Sequence, residues 1–305
     1  MMTPVSRISD GALANTSSSN SDRAEYSHPS NPNLCAKCFT VADRWFQRFS
    51  KLGSALHRGF WLGCLAPDDL NAITAGQYAD SQSLTSLEYM RGGFFDWENT
   101  LVHRYFHPGS RILVAAAGTG REILALRSAG LDADGFECNT NLLGAGQKIF
   151  AQLGEAYSVT LCAPDRVPSG SVTYDGLLVG WGGYMHIPTS RRRIQFLRAL
   201  RDRAQPHSPL LLSFFTRAAE SSRCDLIAYR VARICRTLRL APKNDSVELG
   251  DDLDAGQYVH RFTRDELQAE LGDAGFELAH YQQGSGSGMA VCFARELSAA
   301  DEPRS

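Results

Sequence analysis

From Arg111 to Phe293 the chain alternates short, continuously apolar runs with amphipathic stretches, and that alternation restricts the fold more than any other feature. The first run, Arg111-Ile-Leu-Val-Ala-Ala-Ala117, leads through Gly118-Thr119-Gly120 into a helical pattern that lasts to Ala129. Further runs at 133–138, 159–162, 174–180, 209–215, 276–281 and 289–293 predict strands, while the spacing at 141–153, 189–204, 219–240 and 263–274 predicts helices. A strand that feeds a helix and returns parallel needs a crossover, and crossovers lay helices over both faces of the sheet. The expectation is an α/β fold with a doubly wound, mostly parallel sheet. The last two runs, joined by Gly284-Ser-Gly-Ser-Gly288, break the alternation and predict a C-terminal β-hairpin.

Upstream the texture differs. Residues 1–33 are rich in Ser, Asn, Asp and Pro with little to bury, which predicts a disordered tail; 297–305 reads as a flexible tail. From Leu34 to Leu65, Phe39, Ala42, Trp45, Phe46, Phe49, Leu52 and Leu56 recur at helical spacing and predict one buried stripe. Helical patterns follow at 67–90 and 97–105, so 34–108 reads as a helical cap or lid on a domain spanning 109–296, with a helical insertion at 217–260. The double glycine of Arg91-Gly92-Gly93-Phe94-Phe95-Asp96 is a candidate hinge.

Composition narrows the partners. A formal charge of −2 gives no global field for a polyanion, so nucleic acid is not expected. No apolar leader or run of about 18 apolar residues is present, which predicts a cytoplasmic protein without a membrane partner. The eight cysteines lie mostly in apolar segments, as reduced thiols do. Cys35-Ala-Lys-Cys38 has metal-knuckle spacing but no second pair at a zinc-ribbon distance, so no metal is expected. The arginines of 191–203 read as a solvated helix face. Those at 230, 233, 236 and 239 read as partners for Glu248, Asp251, Asp252 and Asp254. The sequence carries no sign of oligomeric state.

In a doubly wound sheet, ligands bind beyond the carboxyl ends of the strands. Glycines at 118 and 120 allow the first loop to turn sharply and approach a ligand closely. Glu137, at the end of the next strand, stands where a carboxylate meets the two hydroxyls of an adenosine ribose.

Taken in order, Ile112 to Gly120, Gly135-Phe-Glu137, Tyr174-Asp-Gly-Leu-Leu-Val-Gly-Trp181 and Phe262 to Phe276 resemble a class I S-adenosylmethionine-dependent methyltransferase of Rossmann-like fold, over about 109–295. The resemblance implies S-adenosylmethionine as cofactor. It assigns Ala116, Gly118, Thr119 and Gly120 to the methionine part and Glu137 to the ribose. Ala163, Pro164 and Asp165 would flank adenine, and Gly180, Trp181 and Gly182 would lead to the substrate. Val114 and Ala116 depart from the family's usual acid and glycine. Within the resemblance, His186 is the candidate general base and Tyr184 a candidate orienting hydroxyl. Trp181, Tyr184, Tyr89, Phe94, Phe95 and Trp97 could wall a flat substrate. The implied function is methyl transfer to a small organic acceptor at O, N or S. The alternatives are a non-methylating S-adenosylmethionine or S-adenosylhomocysteine binder and, disfavoured by the missing third glycine, an NAD-dependent oxidoreductase.

Overall fold

The computed structural model describes residues 34–79, 82–238 and 246–296; the two tails read from the sequence lie outside these. The chain divides into two units between Arg48 and Phe49, inside the first helix, and the sheet belongs to the second.

Four helices come first: α1 (Leu34–Cys64), α2 (Pro67–Ala79), α3 (Leu87–Arg91) and α4 (Asp96–Tyr105). The alternation then begins with β1 (Arg111–Ala115), α5 (Arg121–Ser128), β2 (Asp132–Glu137), α6 (Thr140–Leu153), β3 (Val159–Leu161) and β4 (Gly176–Val179). After a short 3-10 turn at Tyr184–His186 come α7 (Ser190–Arg201), β5 (Pro209–Thr216), α8 (Arg223–Thr237), β6 (Asp251–Asp254), β7 (Gln257–Phe262), α9 (Arg264–Asp273), β8 (Phe276–Gln283) and β9 (Ser287–Ala294). β3, β2, β1, β4 and β5 pair side by side and parallel, and β9 runs antiparallel between β5 and β8. The result is a Rossmann-like, mostly parallel α/β sheet ending in a hairpin. Every residue of β4 is buried, as are Ile112 to Ala115 of β1, because helices cover both faces; that explains why these strands read as unbroken apolar runs.

The sheet has a further hairpin that apolar runs do not announce. β6 pairs antiparallel with β7, which continues parallel from the end of β5. Its turn, Ala255-Gly256, has φ of 50° and 82°, the left-handed pair of a two-residue hairpin turn. The segment 217–260 is therefore helix plus strands rather than helix alone.

Three expectations about charge and packing are corrected. Phe39, Trp45, Phe46, Phe49, Leu52 and Leu56 of α1 are exposed, and its buried positions are Ala55, Gly59, Leu62 and Gly63. A Cβ on Gly59 would lie 2.4 Å from the Ala228 carbonyl oxygen and one on Gly63 2.5 Å from the Cys235 Cβ, so α1 and α8 cross with their backbones close. Periodicity shows that a helix has an apolar face and leaves open what covers it. Arg193 is not on a solvated face: it is fully buried, with its Nε and Nη2 donating to Glu270 at 2.6–3.0 Å and Nη2 to Glu248 at 2.6 Å. The acidic residues of the insertion find partners other than the α8 arginines. Glu248 takes Arg193, Asp251 takes His260 and Tyr258, and Asp252 takes Arg58, while Arg236 donates to the Leu62 and Leu65 carbonyls. Arg239 lies outside the described residues.

Candidate functional site

β3, β2, β1 and β4 are parallel neighbours, so the loops that follow them leave the same edge of the sheet. In the first loop Ala116, Gly118 and Gly120 have φ of 50°, 55° and 95°. Glycine adopts this left-handed region freely, whereas an alanine is strained there by roughly 1 kcal/mol. Ala116 thus holds a glycine-like turn at a cost. The turn sits tightly under the fourth loop: a Cβ on Gly180 would meet the Ala116 carbonyl oxygen at 2.4 Å, and one on Gly183 the Ala116 Cβ at 2.6 Å. Val114 is fully buried in β1, so the first strand offers that edge no carboxylate.

Glu137 closes β2 and is buried. Its Oε2 accepts from the Gly118 N–H at 2.8 Å, and its Oε1 accepts from the N–H groups of Cys138 and Asn139, also at 2.8 Å. A carboxylate offers about four lone-pair positions, so these three amides leave one, on the oxygen facing the first loop. The arrangement fits an adenosine ribose that donates a hydroxyl there. The same carboxylate also has a structural role, because it ties the glycine loop to the start of α6.

Asn71, Ala75, Tyr78 and Leu84 each make a hydrogen bond to one of the four loops. Leu84 O accepts from Thr119 Oγ1 at 3.1 Å, Ala75 O from Asn139 Nδ2 at 2.9 Å, and Asp165 Oδ2 from Asn71 Nδ2 at 2.8 Å; Tyr78 Oη lies 2.8 Å from His186 Nε2. Asp165, in the third loop with Ala163 and Pro164, has φ of 58° and also accepts from Arg192 at 3.1 Å. Burial pushes its carboxyl pKa up, against the lowering effect of the Asn71 and Arg192 bonds. That carboxylate is committed to α2 and α7.

His186 has both ring nitrogens engaged. Nδ1 lies 2.6 Å from the Tyr258 carbonyl oxygen, which can only accept, so Nδ1 carries the proton and Nε2 accepts from the Tyr78 hydroxyl. Burial lowers the His186 pKa, partly opposed by the Tyr258 bond, and the imidazole is neutral at pH 7. Burial, then Tyr89 and Glu137, push Tyr78 up to about 12, so its hydroxyl keeps its proton. A neutral imidazole whose acceptor nitrogen points at a hydroxyl is the electronic state a general base needs.

Tyr184 does not join it. The 3-10 turn sends Tyr184 into the core, stacked on Phe262 with ring centroids 5.2 Å apart, and its hydroxyl donates to Glu270. This corrects its reading as an orienting group. Trp181, half-exposed, meets Phe95 at 5.7 Å and Trp97 at 6.0 Å between ring centroids, so three of the candidate wall aromatics come together. Phe95 also lies under Arg121, whose Cζ is 4.1 Å from the ring centroid.

Arg121 governs the candidate hinge. It is buried at the start of α5, paired through both Nη atoms with Glu98 at 2.8 Å and with Glu122 at 2.7 Å, and it donates to the Gly93 carbonyl at 2.5 Å. Gly92 caps α3 and Gly93 has φ of 65°. The double glycine is therefore a helix-ending turn clamped to the sheet domain. Cys35 and Cys38 are both exposed on α1. The only grouping of three metal-ligand side chains among the described residues is Glu248, Asp251 and His260, where Glu248 also binds Ser190 and Arg193 and Asp251 also binds Tyr258.

No protein-family model and no curated protein matches the sequence. Solved structures do. An S-adenosylmethionine-dependent methyltransferase from Methanosarcina mazei is similar at 17% identity and a TM-score of 0.51, the match covering 67% of this chain and 99% of that one. The 1,6-didemethyltoxoflavin-N1-methyltransferase of Burkholderia thailandensis, solved with 1,6-didemethyltoxoflavin and S-adenosylhomocysteine, is similar at 16% identity and 0.52, covering 76% of this chain and 92% of its own. At such identities the likeness is one of fold, and the fold is that of the class I S-adenosylmethionine-dependent methyltransferases.

Proposed function

We propose that the chain transfers a methyl group from S-adenosylmethionine to a small organic acceptor. The observation that carries this reading is Glu137, a buried carboxylate at the end of β2 with one position left open beside the Gly118 amide. Both neighbours described above with TM-scores above 0.5 are named as methyltransferases of this type, which supports the reading.

Bound there, the sulfonium would supply an activated methyl group, leaving the protein to align a nucleophile and exclude water. Glu137 would hold the ribose, and the loop Ala116–Gly120 would lie along the methionine part. Trp181, Phe95 and Trp97 supply an aromatic wall. His186 Nε2 takes the acceptor's proton, either directly once Tyr78 moves aside or through the Tyr78 hydroxyl, which passes its own proton to Nε2 as it receives the acceptor's. An acceptor that is already ionised needs only the alignment. The small-acceptor reading rests on the bonds that Asn71, Ala75, Tyr78 and Leu84 make to the four loops.

The test is formation of S-adenosylhomocysteine from S-adenosylmethionine in the presence of a panel of small amines, phenols, carboxylic acids and thiols. Acceptor-dependent formation is expected, and binding of the cofactor without turnover across the panel would favour the second reading, a non-methylating binder. One observation favours that second reading: both His186 nitrogens already have protein partners.

A further inference from the structure

Tyr258 turns its main-chain groups away from its own hairpin. Asp254 and Gln257 flank the two-residue turn and exchange hydrogen bonds, so the next pair, Leu253 and Tyr258, directs its N–H and C=O groups outward. β5 joins that outer edge of β7 only at Arg261 and Phe262. At Tyr258 side chains take the place of a strand. The carbonyl oxygen holds His186 Nδ1 at 2.6 Å, and the N–H donates to Thr74 Oγ1 at 3.1 Å. Thr74 is buried in α2 and gives its own hydroxyl proton to the Leu70 carbonyl at 2.9 Å, which leaves the oxygen's lone pairs for Tyr258. One helical turn further along α2, Tyr78 Oη meets His186 Nε2 at 2.8 Å. The Tyr258 side chain is anchored as well. Its hydroxyl donates to Asp251 Oδ1 at 2.7 Å, the oxygen that His260 Nδ1 also meets at 2.7 Å, and Asp251 Oδ2 accepts from the Glu248 N–H at 2.8 Å. The side chains of His260 and Asp251 are 2% and 7% exposed, so water does not compete for these bonds.

We propose that Thr74 and Asp251 are positioning residues for His186: they fix Tyr258 through its N–H and its side chain, so that its carbonyl keeps the imidazole proton on Nδ1 and the lone pair on Nε2. Which nitrogen of a neutral imidazole carries the proton is set by the bond that the other makes, and a base needs its lone pair on the nitrogen that faces the proton to be taken. Neither residue touches a reacting atom; each acts through Tyr258. Because Thr74 and Tyr78 lie four residues apart on one face of α2, that helix governs both ends of the ring, the anchored Nδ1 and the accepting Nε2. The role rests on the methyl-transfer reading, in which Nε2 takes the acceptor's proton.

The test is the tautomer of His186 in the full chain labelled with 15N-histidine, read from long-range proton–nitrogen correlation spectra above the imidazole's pKa, with the signal assigned by its loss in His186→Gln. The wild type is expected to hold the proton on Nδ1. Thr74→Val keeps the shape of the side chain and removes the hydroxyl, and should raise the fraction protonated on Nε2 about threefold or more. Tyr258→Phe, which removes the bond to Asp251, should shift it in the same direction, and Thr74→Ser should restore the wild-type spectrum. A wild-type proton on Nε2, a wild-type ratio in folded Thr74→Val and Tyr258→Phe, or a Ser variant that shifts as far as the Val variant would each overturn the proposal. If Thr74→Val does not fold in a thermal scan, Tyr258→Phe decides. The spectra need neither cofactor nor acceptor. A wild-type chain that fails to bind S-adenosylhomocysteine in a calorimetric titration therefore overturns the methyl-transfer reading and the role built on it, whereas unshifted spectra in a chain that does bind it overturn the positioning alone.

Discussion

Replacing Glu137 with Ala separates the two roles that the structure gives this carboxylate. The three amides it accepts from differ in surroundings: Asn139 is buried, Gly118 half-buried and Cys138 exposed. Water can replace the bond to Cys138, so one to two uncompensated amides remain. A hydrogen bond to a charged group is worth about 1.5–3 kcal/mol, which puts the stability loss for one to two of them at about 1.5–6 kcal/mol. For a domain of this size that corresponds to a melting point lower by roughly 3–24 °C. If the open position on Glu137 receives a ribose hydroxyl, affinity for S-adenosylhomocysteine falls by a further 1.5–3 kcal/mol or so, about ten- to 150-fold. Calorimetric titration well below the variant's melting point, paired with a thermal scan, reads the two effects separately. An unchanged melting point would refute the argument from the amides. A lowered melting point with an unchanged dissociation constant would leave Glu137 as a tie between loops and remove it from the binding site.

His186→Gln should lower turnover about a hundredfold with an acceptor that carries a proton, at constant cofactor affinity, as measured by initial rates and titration. The folded pKa of His186 lies below its unfolded value of 6.5, so its contribution to stability is complete above pH 6.5, declines as pH falls, and levels off below the folded pKa. Denaturant titrations from pH 7.5 to 5 should show that slope in the wild type and a flatter one in the Gln variant. Ala116→Gly relieves a left-handed alanine and should raise stability by about 1 kcal/mol, or 2–4 °C, in a thermal scan; a lower melting point would contradict the strain. Glu98→Ala leaves Arg121 buried with only Glu122 as its ion-pair partner and should cost about 3–5 kcal/mol in chemical denaturation, with faster proteolysis near Gly93 because the clamp on that turn is lost.

The strands of the parallel sheet were legible because burial on both faces leaves no room for polar alternation, and the glycine loop because its turn needs left-handed residues. β6 and β7 were not, since Asp251-Asp252-Leu253-Asp254 uses residues that strands disfavour and Ala255-Gly256 lacks the usual Asn or Asp of such a turn. Those aspartates are stabilised by Arg58, Arg261, His260 and Tyr258, which are tertiary partners invisible to local pattern. For the same reason Arg193 read as solvent-facing. In the candidate site, Glu137 and His186 could be placed from their positions after strands. Tyr78 could not, because it reaches His186 from α2, across 108 residues of sequence, and nothing in the run Pro67–Ala79 marks it. Asn139 was within reach: an Asn just before a helical pattern is an N-cap signal, and it does accept from the N–H groups of Asn141 and Leu142.

The most direct test of the methyl-transfer account is a calorimetric titration of the full chain with S-adenosylmethionine, S-adenosylhomocysteine and NAD. The account predicts one site per chain that takes both sulfur nucleosides, a weaker site in Glu137→Ala, and no heat from NAD. Binding of NAD alone, or of none of the three, would contradict it.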